Sequence, residues 1–315
     1  MKIIVTDKVS EEAIKKLRER HEVYFKELRG EELAREIGEY DALMVRSATK
    51  VTKEIIENAK KLKVIGRAGI GVDNIDVETA SKKGIIVVNS PTGTTHSVAE
   101  LTIGFMFALA RKICYGDATM RKGIWAKKEM EGIELYGKTL GLIGSGNIAQ
   151  EVAKIANAIG MNVLVYSPNC TEEKARKMGA KLKSIEKIFS EADFVSIHIP
   201  KTKDTHHMVN ERMLSLMKKS AFLINCSRGG IVDEEALYKF LKEKKIAGAA
   251  IDVYEKEPPE KSPLFELENA IFTPHIGAST IEGQERAGII CAEQILKALD
   301  GEEPDYWVNK NLIKR

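Results

Sequence analysis

Between residues 138 and 156 an apolar run, Lys138-Thr-Leu-Gly-Leu-Ile143, passes through Gly144-Ser-Gly146 into a stretch of helical spacing, Asn147-Ile-Ala-Gln-Glu-Val-Ala-Lys-Ile-Ala156. A strand that becomes a helix through so short a glycine turn is a strong constraint on the fold. Gly144 makes the tight turn, Gly146 lets a pyrophosphate approach the backbone, and the small Ala149 lets the helix pack on its strand. The N–H groups and dipole at Asn147 and Ile148 then favour an anion. The expectation is a Rossmann unit that binds a dinucleotide through Gly144, Gly146, Asn147 and Ile148. Glycine turns of this kind also arise from packing alone, so the weight of this one depends on its surroundings.

The surroundings alternate. Short β-branched runs (Ile3–Val5, Val23–Phe25, Ala42–Val45, 64–65, 85–88) are separated by helical patterns at 11–20, 31–37, 53–58 and 77–82. A long apolar helix over 96–113 and a less regular segment near Trp125 follow. Strands resume at 140–143, 163–166, 194–197, 221–225, 248–251 and 271–273, and a helix over 281–299 leads to a polar tail. Single strands alternating with helices predict parallel sheets. The fold class expected is α/β, two doubly wound parallel-sheet domains, with the glycine turn in the second. In such sheets ligands bind beyond the carboxyl ends of strands and between domains, so functional residues belong just after strands.

Composition narrows the classes. The chain has 315 residues, 43% hydrophobic and 30% charged, with a net charge of +3 spread over interspersed acids and bases. That describes a globular protein long enough for two domains. No basic block marks a nucleic-acid partner. The apolar run 101–110 is too short to span a bilayer, so no membrane association is expected. Cys114, Cys170, Cys226 and Cys291 stand far apart without metal-ligand spacing, and the N terminus reads as a strand and helix; both suit a reduced, cytoplasmic protein without a metal.

Three segments after strands carry chemistry. Asn225-Cys-Ser-Arg228-Gly-Gly delivers an arginine whose planar guanidinium could clamp a carboxylate. An arginine tied to a nearby acid, with Asp233 capping the next helix, is an equal alternative. In Asp252-Val-Tyr-Glu-Lys-Glu257-Pro-Pro, Glu257 taken alone is an ordinary solvated carboxylate. Thr273-Pro-His275-Ile-Gly277 sets a histidine in a loop, where it could exchange the proton that accompanies a hydride. Singly each is ambiguous; in this order behind a dinucleotide turn they point to dehydrogenase chemistry. Cys226 reads as a small packing residue, and His206 and His207 as loop residues outside any metal site.

These residues resemble those of the D-isomer-specific 2-hydroxyacid dehydrogenases over essentially the whole chain. The likeness is nearest to the phosphoglycerate-oxidising branch in Val45-Arg-Ser-Ala-Thr-Lys-Val-Thr52, Val64-Ile-Gly-Arg-Ala-Gly-Ile-Gly-Val-Asp-Asn-Ile-Asp76, Ala99-Glu-Leu-Thr102 and Pro274-His-Ile-Gly-Ala-Ser-Thr280. It implies Arg228, Glu257 and His275 as the catalytic residues. It places Ser167, Pro200, Cys226, Asp252 and Gly277 at the cofactor beside the glycine turn. It assigns the substrate to Arg228, the Gly69-Ile70-Gly71 backbone, Arg46 and Arg67. It further implies a flavodoxin-like substrate domain from residues 1–95 and 285–315, a dinucleotide domain over 96–284 and a homodimer, in which Lys127 reaches the neighbouring site. The implied reaction is hydride transfer between a D-2-hydroxy or 2-keto acid and a nicotinamide cofactor, with 3-phosphoglycerate oxidation in serine biosynthesis favoured. A glyoxylate or hydroxypyruvate reductase is the alternative, and a dinucleotide-sensing corepressor a third reading. The sequence departs from the family where NAD users carry an acid after the second dinucleotide-domain strand. Here Ser167-Pro-Asn169 stands, so NAD is expected and NADP stays open. The sequence ends near Trp307, and the regulatory domain of longer relatives is expected to be missing.

Overall fold

The structure, a computed structural model, describes residues 1–313 and contains two α/β units. One comprises Met1–Thr95 and the chain from Ala278; the other is His96–Gly277. The return to the first unit was expected at 285, inside a helix. It falls at Ala278, because that helix packs against the first unit from its opening turns.

In the first unit β1 (Lys2–Val5), β2 (Glu22–Phe25), β3 (Ala42–Val45), β4 (Val64–Arg67) and β5 (Ile86–Val88) form a parallel sheet of order β2-β1-β3-β4-β5. Helices α1 (Glu11–Arg18), α2 (Gly30–Glu36), α3 (Lys53–Asn58) and α4 (Val77–Lys82) connect them. This is the flavodoxin-like order. Successive strand residues face opposite ways, and the core divides accordingly. Ile4, Leu43, Val45, Ile65 and Val87 pack under α2–α4. Ile3, Val5, Met44, Val64 and Val88 pack on the opposite face with Leu17 of α1 and Cys291 and Ile295 of the last helix. The tail after that helix is more than polar covering. Asn309, fully buried, accepts from Val87 N (2.8 Å) and donates to Ile85 O (2.9 Å) and Ser81 Oγ (2.9 Å), which occupies the edge of β5.

In the second unit α5 (Thr95–Ala110) stops at Lys112, whose φ of 52° is left-handed, and α6 (Ile113–Arg121) starts afresh. The helix expected over 96–113 therefore ends at Ala110, and a second helix follows it. Next come β6 (Thr139–Ile143), α7 (Asn147–Ala158), β7 (Asn162–Tyr166), α8 (Glu172–Lys177), β8 (Ala180–Leu182), α9 (Ile185–Glu191) and β9 (Phe194–Ile197). The unit continues with α10 (Glu211–Ser215), β10 (Phe222–Asn225), α11 (Glu234–Lys242), β11 (Gly248–Ile251) and β12 (Ala270–Phe272); α12 (Ile281–Leu299) belongs to the first unit. The parallel order β12-β11-β10-β9-β6-β7-β8 is that of a Rossmann sheet with one added strand. Leu140, Leu142, Val163, Phe194 and Ile224 face α5 and α7, while Val195, Ile197, Leu223 and Ile251 face α9–α11. The connections leave β6 and β9 toward opposite faces, which makes their carboxyl ends the switch point of the sheet.

Candidate active site

The glycine turn lies at that switch point. β6 and β9 are in register at Ile143 and Ile197, and His198 N donates to Ile143 O at 2.7 Å. Gly144 has a φ of 117°, and a Cβ there would lie 2.2 Å from His198 O, so no other residue fits. A Cβ on Gly146 would meet nothing within 4 Å, so the space before α7 is open. The four later helices of this unit are capped by their own side chains (Thr171, Ser184, Asn210 and Asp233), whereas no side chain caps α7. Open space before a twelve-residue helix with an uncapped start suits a pyrophosphate, and these residues fit a dinucleotide.

Every other cofactor candidate of this unit stands just past a strand. Ser167 follows β7, Pro200 lies beyond β9, Cys226 follows β10, Asp252 follows β11, and Gly277 ends the loop after β12. Cys226 is buried, and burial pushes its thiol up to about 12, so it holds its proton and packs. Asp252 has an internal task as well. Its fully buried carboxylate accepts from Thr273 Oγ1 (2.5 Å), Ile276 N (2.8 Å) and Gly277 N (2.8 Å). Its carbonyl accepts from His275 N at 2.8 Å. Together these bonds hold His275 in a left-handed conformation, with φ 53°, that few side chains adopt.

The structure brings His275 and Glu257 together. His275 Nδ1 and Glu257 Oε2 are 2.7 Å apart, and Glu257 Oε1 accepts from Tyr254 N at 3.0 Å. Burial alone would raise the Glu257 pKa; the bonds from His275 and Tyr254 N and the charge of Arg228 outweigh it and hold the carboxyl below its usual range. With Nδ1 engaged, Nε2 is the His275 nitrogen left for proton exchange. Arg228 Nη1 donates to Ser227 O at 2.7 Å, and Asn225 Nδ2 donates to Arg228 O at 3.1 Å, so the guanidinium and its turn are both fixed. A cation, a proton carrier and a carboxylate that orients it thus share one sheet end.

In the first unit Arg46 follows β3 and its Nη1 donates to Lys8 O at 3.1 Å. Arg67 ends β4, and its Nη1 lies 1.7 Å from where a Cβ on Gly69 would sit, so the guanidinium rests on that glycine. Ser90 N donates to Gly69 O (2.9 Å) and Asn89 Nδ2 to Ile70 O (2.5 Å), which anchors the loop through Gly71. Gly69 N donates to Arg67 O at 2.8 Å, which tightens the turn out of β4.

Sequence reasoning passed over Asp7, His198 and Glu234. Each lies next to a strand end or a helix start, and that position was the available signal. His198 Nε2 is 2.9 Å from Ser196 Oγ, and desolvation pushes its ring down to about 4, so it is neutral at physiological pH.

The family model for the NAD binding domain of D-isomer specific 2-hydroxyacid dehydrogenases matches residues 103–277. The chain is 53% identical over 311 residues to a D-3-phosphoglycerate dehydrogenase of Methanocaldococcus jannaschii, covering 98% of this chain and 59% of that protein. It is 46% identical over 303 residues to a hydroxypyruvate reductase of Thermotoga maritima, covering 95% of this chain and 98% of that one. The crystal structure of the TT0316 protein from Thermus thermophilus superposes with a TM-score of 0.89 at 36% identity, covering 98% of this chain and all of that one. The chain spans little more than half the length of the phosphoglycerate dehydrogenases it matches, 59%, 58% and 54% of three of them. Glycine turn, sheet order, residue pairing and these matches agree: the chain belongs to the D-isomer specific 2-hydroxyacid dehydrogenase family.

Proposed function

We propose that the chain catalyses reversible hydride transfer between a D-2-hydroxy acid and a nicotinamide cofactor, with 3-phospho-D-glycerate as the acid oxidised. The observation that carries the reading is the 2.7 Å pairing of His275 Nδ1 with Glu257 on the sheet end that also presents Arg228. When bound, the cofactor supplies or accepts the hydride. Arg228 holds the substrate carboxylate and polarises the C2 oxygen. His275 removes or returns the hydroxyl proton through Nε2, and Glu257 keeps that ring oriented. The family resemblance also assigns the Gly69-Ile70-Gly71 backbone, Arg46 and Arg67 to the substrate, the two arginines to its phosphate.

NAD is the cofactor favoured, in line with the matched NAD binding domain. Ser167 carries no charge to repel a 2′-phosphate, so NADP is to be compared with it. The hydroxypyruvate reductase of similar length supports a second reading, an unphosphorylated 2-keto acid as substrate. The decisive assay follows NADH and NADPH oxidation with 3-phosphohydroxypyruvate, hydroxypyruvate and glyoxylate. Preference for the phosphorylated acid supports the first reading; indifference to the phosphate rejects it. His275→Ala should lose about 10²–10⁴-fold in turnover yet bind NADH as before, and near-normal turnover would remove His275 from its role.

A cytoplasmic homodimer completes the proposal. Phe107, Ile113, Met120, Ile124, Trp125 and Tyr136 are exposed on α5, α6 and the segment that follows, Trp125 and Tyr136 each at 76%. Apolar surface so concentrated is characteristic of an interface. Light scattering should give twice the monomer mass, and Trp125→Asp should lower it.

No helix among the described residues is long and apolar enough to cross a membrane.

A further inference from the structure

The loops after β9, β10 and β11 meet around the peptide bond between Tyr254 and Glu255. On one side a Cβ at Gly229 would lie 1.6 Å from Tyr254 O and 2.8 Å from Glu255 N, so the arginine turn rests directly on the 254–255 peptide. On the other side Glu234 Oε1, at the start of α11, accepts from Glu255 N at 2.7 Å. The Glu255 carboxylate reaches back toward Glu234 N (3.4 Å) and accepts from His207 Nε2 (2.8 Å). His207 is itself held in a left-handed conformation (φ 48°), with its N–H on Gly230 O (2.8 Å) and its ring stacked on His206 at 4.0 Å. The residue so gripped, Tyr254, provides the N–H that orients Glu257.

We propose that Glu234, assisted by Glu255 and His207, is a positioning residue: its carboxylate fixes the 254–255 peptide so that Tyr254 N–H aims Glu257 at His275 while Gly229 keeps Arg228 in register. The inference deepens the function proposed above and rests on it for the roles of the triad. Glu234 touches no reacting atom in this account. It acts through the backbone, and the property required of it is an acceptor oxygen at the right reach. A fixed carboxylate here has a cost, because burial and then the neighbouring Glu255 and Glu257 charges raise the Glu234 pKa, against the opposing Glu255 N–H and His207. A chain that keeps an acid in such company uses it for geometry that water would not provide.

The test reads the His275–Glu257 bond itself. In wild-type protein the His275 Nδ1 proton, assigned by its loss in His275→Ala, should give a sharp downfield NMR signal with and without NADH. Glu234→Ala removes the acceptor and should broaden or abolish that signal. It should also lower kcat about tenfold, as loss of alignment does, with the NADH dissociation constant unchanged. Glu234→Gln keeps an acceptor oxygen and should restore both. Thermal unfolding midpoints near wild type would confirm that all variants fold. A wild-type signal in Glu234→Ala, or a Gln variant as impaired as the Ala variant, overturns the inference. If the wild type reduces no 2-keto acid, the proposed function falls, and the proton signal still decides whether Glu234 positions the pair.

Discussion

Each sheet ends one strand in a buried aspartate that holds the loop after the neighbouring strand, and the two do so differently. Asp7, beyond β1, accepts from Thr49 Oγ1 (2.9 Å), Thr49 N (3.2 Å) and Arg46 N (2.5 Å) in the loop after β3, and pairs with Arg29 at 2.7 Å. Asp252, beyond β11, holds the loop after β12 through neutral donors alone, two N–H groups and a hydroxyl. Pairing a buried anion with a cation is the usual solution, and it makes a loop that is structurally self-sufficient. Holding one with neutral dipoles leaves its field to act on its surroundings. The surroundings of Asp252 are the histidine loop, whose Thr273, Ile276 and Gly277 donors it holds. The difference separates a loop tied in part by a charge pair from one tied by dipoles alone.

The contrast can be broken by substitution. Asp252→Asn should have the largest effect. One amide NH2 would face an N–H or hydroxyl donor, so turnover should drop about 10²-fold, the scale of a misplaced catalytic group. Unfolding should cost about 1–3 kcal/mol less than in wild type, as for an unmade buried hydrogen bond. Asp7→Asn should lower stability by a similar amount, about 1–3 kcal/mol. It should raise KM for the acid while leaving kcat nearly intact; an equal loss of kcat in both variants would erase the distinction. Arg29→Ala converts Asp7 to the arrangement of Asp252. Because the Arg29 side chain is 38% exposed, its removal should cost only about 1 kcal/mol in chemical unfolding.

The smallest effect expected is on acid stability. Glu257 is held below its ordinary 4.5 by His275, Tyr254 N and Arg228 acting against burial. Its contribution is therefore complete above that value and disappears as pH falls through the lower folded one. The stability gap between wild type and Glu257→Gln should be constant from pH 7 to about 4.5 and close at more acid pH. A gap already closing above pH 5 would mean that the carboxyl is not held down.

The features legible in the sequence were those encoded locally. The apolar runs of β1, β3, β6 and β9 and the glycine turn at 144–146 announce parallel strands and a ligand-facing helix start. The positions of Arg228, Glu257 and His275 after strands follow from the same pattern. β8, with only Ala180-Lys-Leu182, carries no β-branched residue and gains its strand identity from pairing with β7. The break at Lys112 depends on one left-handed residue that is not glycine. Asn309 looks like tail composition until Val87 and Ile85 come within reach of it. Asp233-Glu234-Glu235 reads as an acidic helix start, and it is one. That Glu234 also grips a peptide more than twenty residues away is decided by tertiary contact, which no short window contains.

The close approach at Gly229 bears on how such a site can be altered. A side chain there would be driven into the Tyr254 carbonyl, so the position is closed to natural drift and to directed evolution alike. Libraries meant to redirect substrate choice should spare it and diversify residues 46–48 and 70–73, which are exposed or half-buried. New specificity can then be sought on one part of the chain while the proton-handling part is inherited unchanged.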